Sequence, residues 1–264
     1  MTAGSGAGEA SGTQLAGELF LYNEDFGYAA FEAGGRGESS RALVVIPGLT
    51  DGLLSLRYLP ALVAALNEAA PPGRRWRVVQ PVLSSSYCGW GLGSLAEDVA
   101  EIDRLLDFLE ARRGVAEVAI LGHSTGCQDV VRYLADGRRK DMVRAAVLQA
   151  PVSDREALPL TFEGRPEEFE EQLNRYRTLA ATMIKECRGD EVMPRAACLL
   201  LGPPHAVTAY RFDSLTGRLT DDDMFSSDLS DEELRGRLGH IAVPTLVAAS
   251  LDDEYVPRAV DGRA

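Results

Sequence analysis

The sequence predicts an α/β fold: a mostly parallel sheet with helices on both faces. Three observations carry this. Apolar runs of strand length recur at residues 42–46, 76–80, 115–121 and 142–148, as expected of strands buried on both faces. Helical patterns separate them, and strand–helix alternation specifies a parallel sheet with right-handed crossovers. Glycine-rich turns follow the runs at 42–46 and 115–121, where loops at strand ends carry sites in such sheets.

Residues 18–23 and 27–33 read as a hairpin around Asn23-Glu24-Asp25. The buried run 42–46 ends in Pro47-Gly48-Leu49-Thr50-Asp51-Gly52. A helix is expected over 55–69, with Leu59, Leu62, Val63 and Leu66 on one face and a stop at Pro71. After the strand at 76–80, the loop Ser84-Ser85-Ser86-Tyr87-Cys88-Gly89-Trp90-Gly91 is rich in turn residues and aromatics. A helix over 94–112 opens on Ser94, with Glu97 at the capping-box position and an apolar stripe through Leu95, Val99, Ile102, Leu105, Leu106 and Leu109.

The expected domains are a disordered tail over 1–17, the first part of the core over 18–151, an inserted cap or lid over 152–241, and a last strand with an acid-bearing loop over 242–264. The insertion breaks the rhythm with a charged helix over 166–185, the acidic run Asp221-Asp222-Asp223 (read as a solvated loop) and a second capping-box pair, Ser230 with Glu233. It is expected to lie over the strand ends.

The net charge is −13, with 27 Lys and Arg against 40 Asp and Glu. This argues against nucleic acid or an anionic membrane as a partner. No apolar run approaches the ~18–20 residues of a membrane span. Cys88, Cys127, Cys187 and Cys198 lack C-x-x-C spacing and read as free thiols of a reducing compartment. No phosphate loop, zinc or calcium motif is present, so neither metal nor cofactor is expected.

The chemistry concentrates at Gly122-His123-Ser124-Thr125-Gly126. A G-x-S-x-G between a buried strand and a helix presents its serine on a tight turn, exposed at the top of the sheet. Ser124 is therefore the candidate nucleophile. The expected oxyanion donors are the Thr125 N–H and one from the 47–50 turn, Leu49 first and Thr50 next. Thr50, Tyr87 and Trp90 are candidate binding residues. The acid is expected after the strand at 244–249, and Asp253 is preferred over Asp252 and Glu254. The base is not evident: the histidines are His123, His205 and His240, and none follows Asp253. His205 reaches the site only if the insertion is a lid.

The strings Gly48-Leu49-Thr50-Asp51-Gly52-Leu53, Leu83 to Gly91, Gly122 to Asp129, Phe225-Ser226-Ser227-Asp228-Leu229-Ser230 and Asp253-Glu254-Tyr255-Val256-Pro257 resemble one branch of the α/β-hydrolase superfamily. That branch includes the fungal siderophore esterases. The resemblance runs from about Leu19 to Val260. It implies Ser124 as nucleophile, Asp253 as acid and a cytoplasmic, cofactor-free hydrolase of a small-molecule ester. It also implies a further strand and a histidine-bearing loop after the acid. This sequence ends at Ala264 without them, so a sheet truncated at its C-terminal edge and impaired turnover are expected. A non-catalytic binding protein on the same fold, a thioesterase and an acyltransferase are the alternatives.

Overall fold

The computed structural model describes residues 13–35, 39–68, 70–71, 74–202, 205–258 and 260. Most of the tail expected over 1–17 lies outside them. Seven strands form one sheet: β1 (Glu18–Asn23), β2 (Tyr28–Gly34), β3 (Arg41–Ile46), β4 (Arg77–Val82), β5 (Glu117–His123), β6 (Val143–Gln149) and β7 (Thr245–Ala248). Their spatial order is β1-β2-β4-β3-β5-β6-β7. β1 and β2 pair as the expected hairpin, and β2 is antiparallel to β4. From β4 to β7 every pairing is parallel.

Alternation along the central strands feeds two cores. Ala42, Val44 and Ile46 of β3, with Val118 and Ile120 of β5, pack on one face with α2 (Leu95–Arg113) and α3 (Gly126–Asp136). Leu43 and Val45, with Leu121, pack on the other face around α1 (Leu59–Asn67). Successive side chains of a strand point to opposite faces, so a continuous apolar run serves both layers. Here the helix stripe and the strand runs agree with the sequence reading.

The helix ends follow local chemistry. α1 starts later than residue 55 because Pro60 sits in its first turn, where a missing N–H costs nothing. Ser94 caps α2 by accepting from the Glu97 N–H at 3.2 Å, and Gly114, at φ 67°, ends it. The Glu97 carboxylate bonds the Ser94 hydroxyl, so only half of the expected capping box forms.

Between β6 and β7 the chain adds α4 (Asp154–Thr161), α5 (Pro166–Lys185), α6 (Arg195–Cys198), α7 (Ala209–Thr216) and α8 (Asp231–Leu238). Phe169, Leu173, Met183, Phe212 and Leu215 build a separate apolar cluster that closes on Trp90 of the core. α8 carries both halves of its capping box. The sequence reading missed α4 and α7, each eight residues long; Pro159 inside α4 masks its pattern. β7 is the last strand of the sheet, and its Leu246 and Val247 are exposed. Among the described residues no helix is long and apolar enough to cross a membrane.

Candidate active site

Ser124 stands between β5 and α3 with φ 52°, a left-handed backbone that a serine adopts only under constraint. Three contacts impose it. The Ser124 N–H donates to the Gln149 carbonyl of β6 at 3.0 Å. A side chain at Gly122 would strike the Gly126 carbonyl, and one at Gly126 would lie 2.4 Å from the Ile46 carbonyl of β3. β3, β5 and α3 therefore close on one another only with glycine at these two positions.

The turn after β3 meets the serine. Gly48 lies against Ser124, so that an added Cβ would be 2.9 Å from the Ser124 Cβ and 3.4 Å from its Oγ. Leu49 follows directly, and Thr125 follows Ser124. Neither the Leu49 nor the Thr125 N–H has an acceptor among the described residues. Two free donors beside a protruding hydroxyl suit a developing oxyanion. Thr50 is exposed, with φ 65°.

The other candidates fall in different places. Tyr87 is half exposed; its hydroxyl accepts from the Leu53 N–H at 3.0 Å, and its own N–H donates to the Asp51 carbonyl. It thereby pins the turn that carries Leu49. Trp90 is buried and lines a cavity shared with Leu49 and Thr125. Gly89 and Gly91 are required by backbone, with the Ser84 and Ala206 carbonyls where a Cβ would stand. Asp253 lies in the loop after β7, at the sheet end that carries Ser124. Its carboxylate accepts from the Tyr255 N–H at 3.0 Å, and among the described residues it has no hydrogen bond to Ser124. His123 has Nδ1 2.5 Å from Gln149 Oε1, which also accepts from the Tyr58 hydroxyl. His240 Nε2 bonds the Val131 carbonyl, and His205 stands edge-on to Trp90.

Sequence reasoning missed the polar layer beneath the site. Asp98 of α2, Asp129 of α3, Asp154 of α4 and Asp222 surround Arg211 of α7. Arg211 donates through Nε to the Trp90 carbonyl at 3.0 Å and through its terminal nitrogen to Asp222 at 2.5 Å. Ser85 donates to Asp98 at 2.7 Å, and Gln128 to Asp154 at 2.8 Å. The reading of Asp221-Asp222-Asp223 as a solvated loop is corrected: Asp222 and Asp223 are buried. Asp221 accepts from Tyr210, Asp222 from Arg211, and Asp223 from the Leu219 N–H and Arg155. A signal did exist. Asp98 and Glu101 interrupt the apolar stripe of α2 on its buried side, and buried acids need partners.

Burial raises three of these acids above the usual carboxylate range. It pushes Asp154 up to about 8, with the Asp222 charge adding to it. Burial likewise lifts Asp98 to about 6, against the Ser85 hydrogen bond and Arg211, which lower it. Burial, then the Asp98 charge, raises Asp129 well above the usual carboxylate range. A group protonated in the fold and ionised in the unfolded chain destabilises the fold as pH rises. Asp154 therefore contributes full stability below its unfolded pKa of ~4 and loses it progressively up to about 8. Urea unfolding across that window is expected to show stability falling with pH, and Asp154→Asn is expected to flatten the fall. An unchanged slope in the variant would contradict the assignment.

The strand order, the strained serine turn and the helices on both faces define an α/β-hydrolase fold. A solved protein described as an α/β-hydrolase fold protein of unknown function superposes with a TM-score of 0.61 at 21% identity, over 93% of this chain and 80% of that one. The chain belongs to the family described as Protein of unknown function (DUF1749), which it matches over residues 10–264. It is 34% identical to Esterase AN6793 of Emericella nidulans, over 88% of this chain and 74% of that protein. It also superposes on the siderophore hydrolase EstB from Aspergillus fumigatus with a TM-score of 0.73 at 30% identity, over 95% of this chain and 82% of that one.

Proposed function

We propose that this protein is a serine hydrolase of small-molecule carboxylic esters. The observation that carries the reading is Ser124 at φ 52°, flanked by the N–H groups of Leu49 and Thr125, which have no acceptor among the described residues. The relatives named as an esterase and a siderophore hydrolase support the same chemistry.

In this reading Ser124 Oγ attacks the ester carbonyl carbon and gives its proton to a base. The carbonyl oxygen becomes an oxyanion held by Leu49 and Thr125. The C–O bond to the alcohol breaks, the alcohol leaves with the proton, and an acyl-Ser124 remains. Water then attacks the acyl group, releases the acid and restores Ser124. Asp253 is assigned to orient the base, and among the described residues none of His123, His205 and His240 is hydrogen-bonded to Asp253 or Ser124. Residues 152–241 serve as a cap above the strand ends, and the four free thiols fit a cytoplasmic setting.

The test is turnover of p-nitrophenyl acetate with fluorophosphonate labelling read by mass. Ser124→Ala is expected to lose the label and at least ~10²-fold in rate. Equal rates and equal labelling would overturn the proposal. The second reading is ligand binding without turnover. It is favoured by one observation: His123 and His240 are held by Gln149 and Val131 rather than by Ser124.

A further inference from the structure

We propose that the cavity beside Leu49 and Thr125 is a specificity subsite that receives a hydroxyl group of the substrate. This rests on the ester-hydrolase reading for its place in the reaction, and on the cavity's own chemistry for its ligand.

The cavity reaches from the Gly48-Leu49 turn and Thr125 down to Ser85, Trp90, Asp129 and Arg211. It therefore adjoins the place where the ester carbonyl oxygen is held. Its volume is about 20 Å³, room for one water-sized group. Two of its lining side chains carry buried polar atoms without partners among the described residues. The Trp90 indole N–H is a donor without an acceptor, on a residue 2% exposed. Asp129 Oδ1 is an acceptor without a donor, on a residue 8% exposed. Three other lining side chains are engaged: Ser85 with Asp98, Asp98 with Asp129, and Arg211 with Asp222 and the Trp90 carbonyl.

A buried donor or acceptor left unpaired is costly, so a good occupant satisfies both atoms at once. A hydroxyl accepts from the indole and donates to Asp129 Oδ1. An ammonium has no acceptor and leaves the indole N–H unpaired. A carboxylate or phosphate exceeds the volume. A methyl group satisfies neither atom, and a carboxamide exceeds the volume. A site built to hydrogen-bond a hydroxyl also discriminates strongly against the analogue that lacks it. The subsite thus narrows the substrate to hydroxylated esters whose hydroxyl lies within reach of the carbonyl.

The test uses the Ser124→Ala chain, so that binding is read without turnover. Ethyl 2-, 3- and 4-hydroxybutyrate are titrated against ethyl butyrate by saturation-transfer NMR. At least one hydroxy ester is expected to bind ten-fold or more tighter than ethyl butyrate, and Trp90→Phe on the same background is expected to erase the difference. A second reading needs no cavity variant. The sequence has two tryptophans, so the Trp90 indole N–H resonance is assigned with Trp76→Phe. It is expected to move with the hydroxy ester and not with ethyl butyrate. A preference below ten-fold, no binding by any ester, a preference that survives Trp90→Phe, or an unmoved indole signal would overturn the subsite and leave the cavity to a resident water only. If the unmutated chain turns over none of these esters while the binding preference holds, the hydrolase reading fails and the subsite stands.

Discussion

Arg211→Met is expected to lower the unfolding free energy by about 3–5 kcal/mol, the usual cost of removing one partner from a buried ion pair. Arg211 is 5% exposed and is the cation that Asp98, Asp129, Asp154 and Asp222 share. Methionine fills much of the space but leaves Asp222 without its charged donor and the Trp90 carbonyl without the Nε–H. The loss is expected to be larger at pH 8 than at pH 5. Without the guanidinium the carboxyls hold their protons more tightly in the fold, and the unfolded chain gains more by releasing them as pH rises. Adding Asp222→Asn to Arg211→Met is expected to recover part of the loss, because it removes the stranded charge. Urea unfolding of the two variants at both pH values checks this. A loss below ~1 kcal/mol, typical of an exposed pair, would show that the layer beneath the site is solvated.

The parallel core was legible because burial on both faces writes itself as unbroken apolar runs. Residues 42–46 and 115–121 needed only that rule, and the structure splits each run between two apolar clusters. The serine turn was legible for a steric reason. Gly122 and Gly126 are spaced by the backbone contacts they allow, so the motif and the geometry are one constraint. The buried acids were not legible, because a carboxylate reads as surface in any local window. Asp129 belongs beneath the site only because α2 brings Asp98 and α7 brings Arg211 to it. Those pairings span 31 and 82 residues and have no periodicity. Gln149 was missed for the same reason: its position at the end of β6 becomes informative once β6 lies beside β5 and its carbonyl holds the Ser124 N–H. The inserted helices α4 and α7 are only eight residues long, so packing through Leu158, Phe212 and Leu215 into the cap cluster defines them more than their own pattern does.

Gly48→Ala is expected to reduce kcat by about 10²–10³ while leaving the fold in place. The added methyl would stand 2.9 Å from the Ser124 Cβ, 3.2 Å from the His123 carbonyl and 3.4 Å from the Ser124 Oγ. The first distance is shorter than real Cβ contacts allow, and the neighbour is the elbow itself. The turn must therefore retreat, and Leu49 retreats with it because Tyr87 pins the same turn from the far side through Leu53 and Asp51. A donor displaced from an oxyanion loses most of its value, and a misplacement of ~1 Å is sufficient to cost ~10²-fold. Overpacking is expected to cost about 1–3 kcal/mol of stability. Gly114→Ala supplies the contrast. It sits at φ 67° at the end of α2 with open space around it, so it is expected to lose about 1 kcal/mol and leave turnover unchanged. Stopped-assay kcat on p-nitrophenyl acetate, read beside urea unfolding for both variants, separates the two effects. A Gly48→Ala chain with unaltered kcat would remove Leu49 from the oxyanion site and leave the Thr125 N–H as its sole backbone donor.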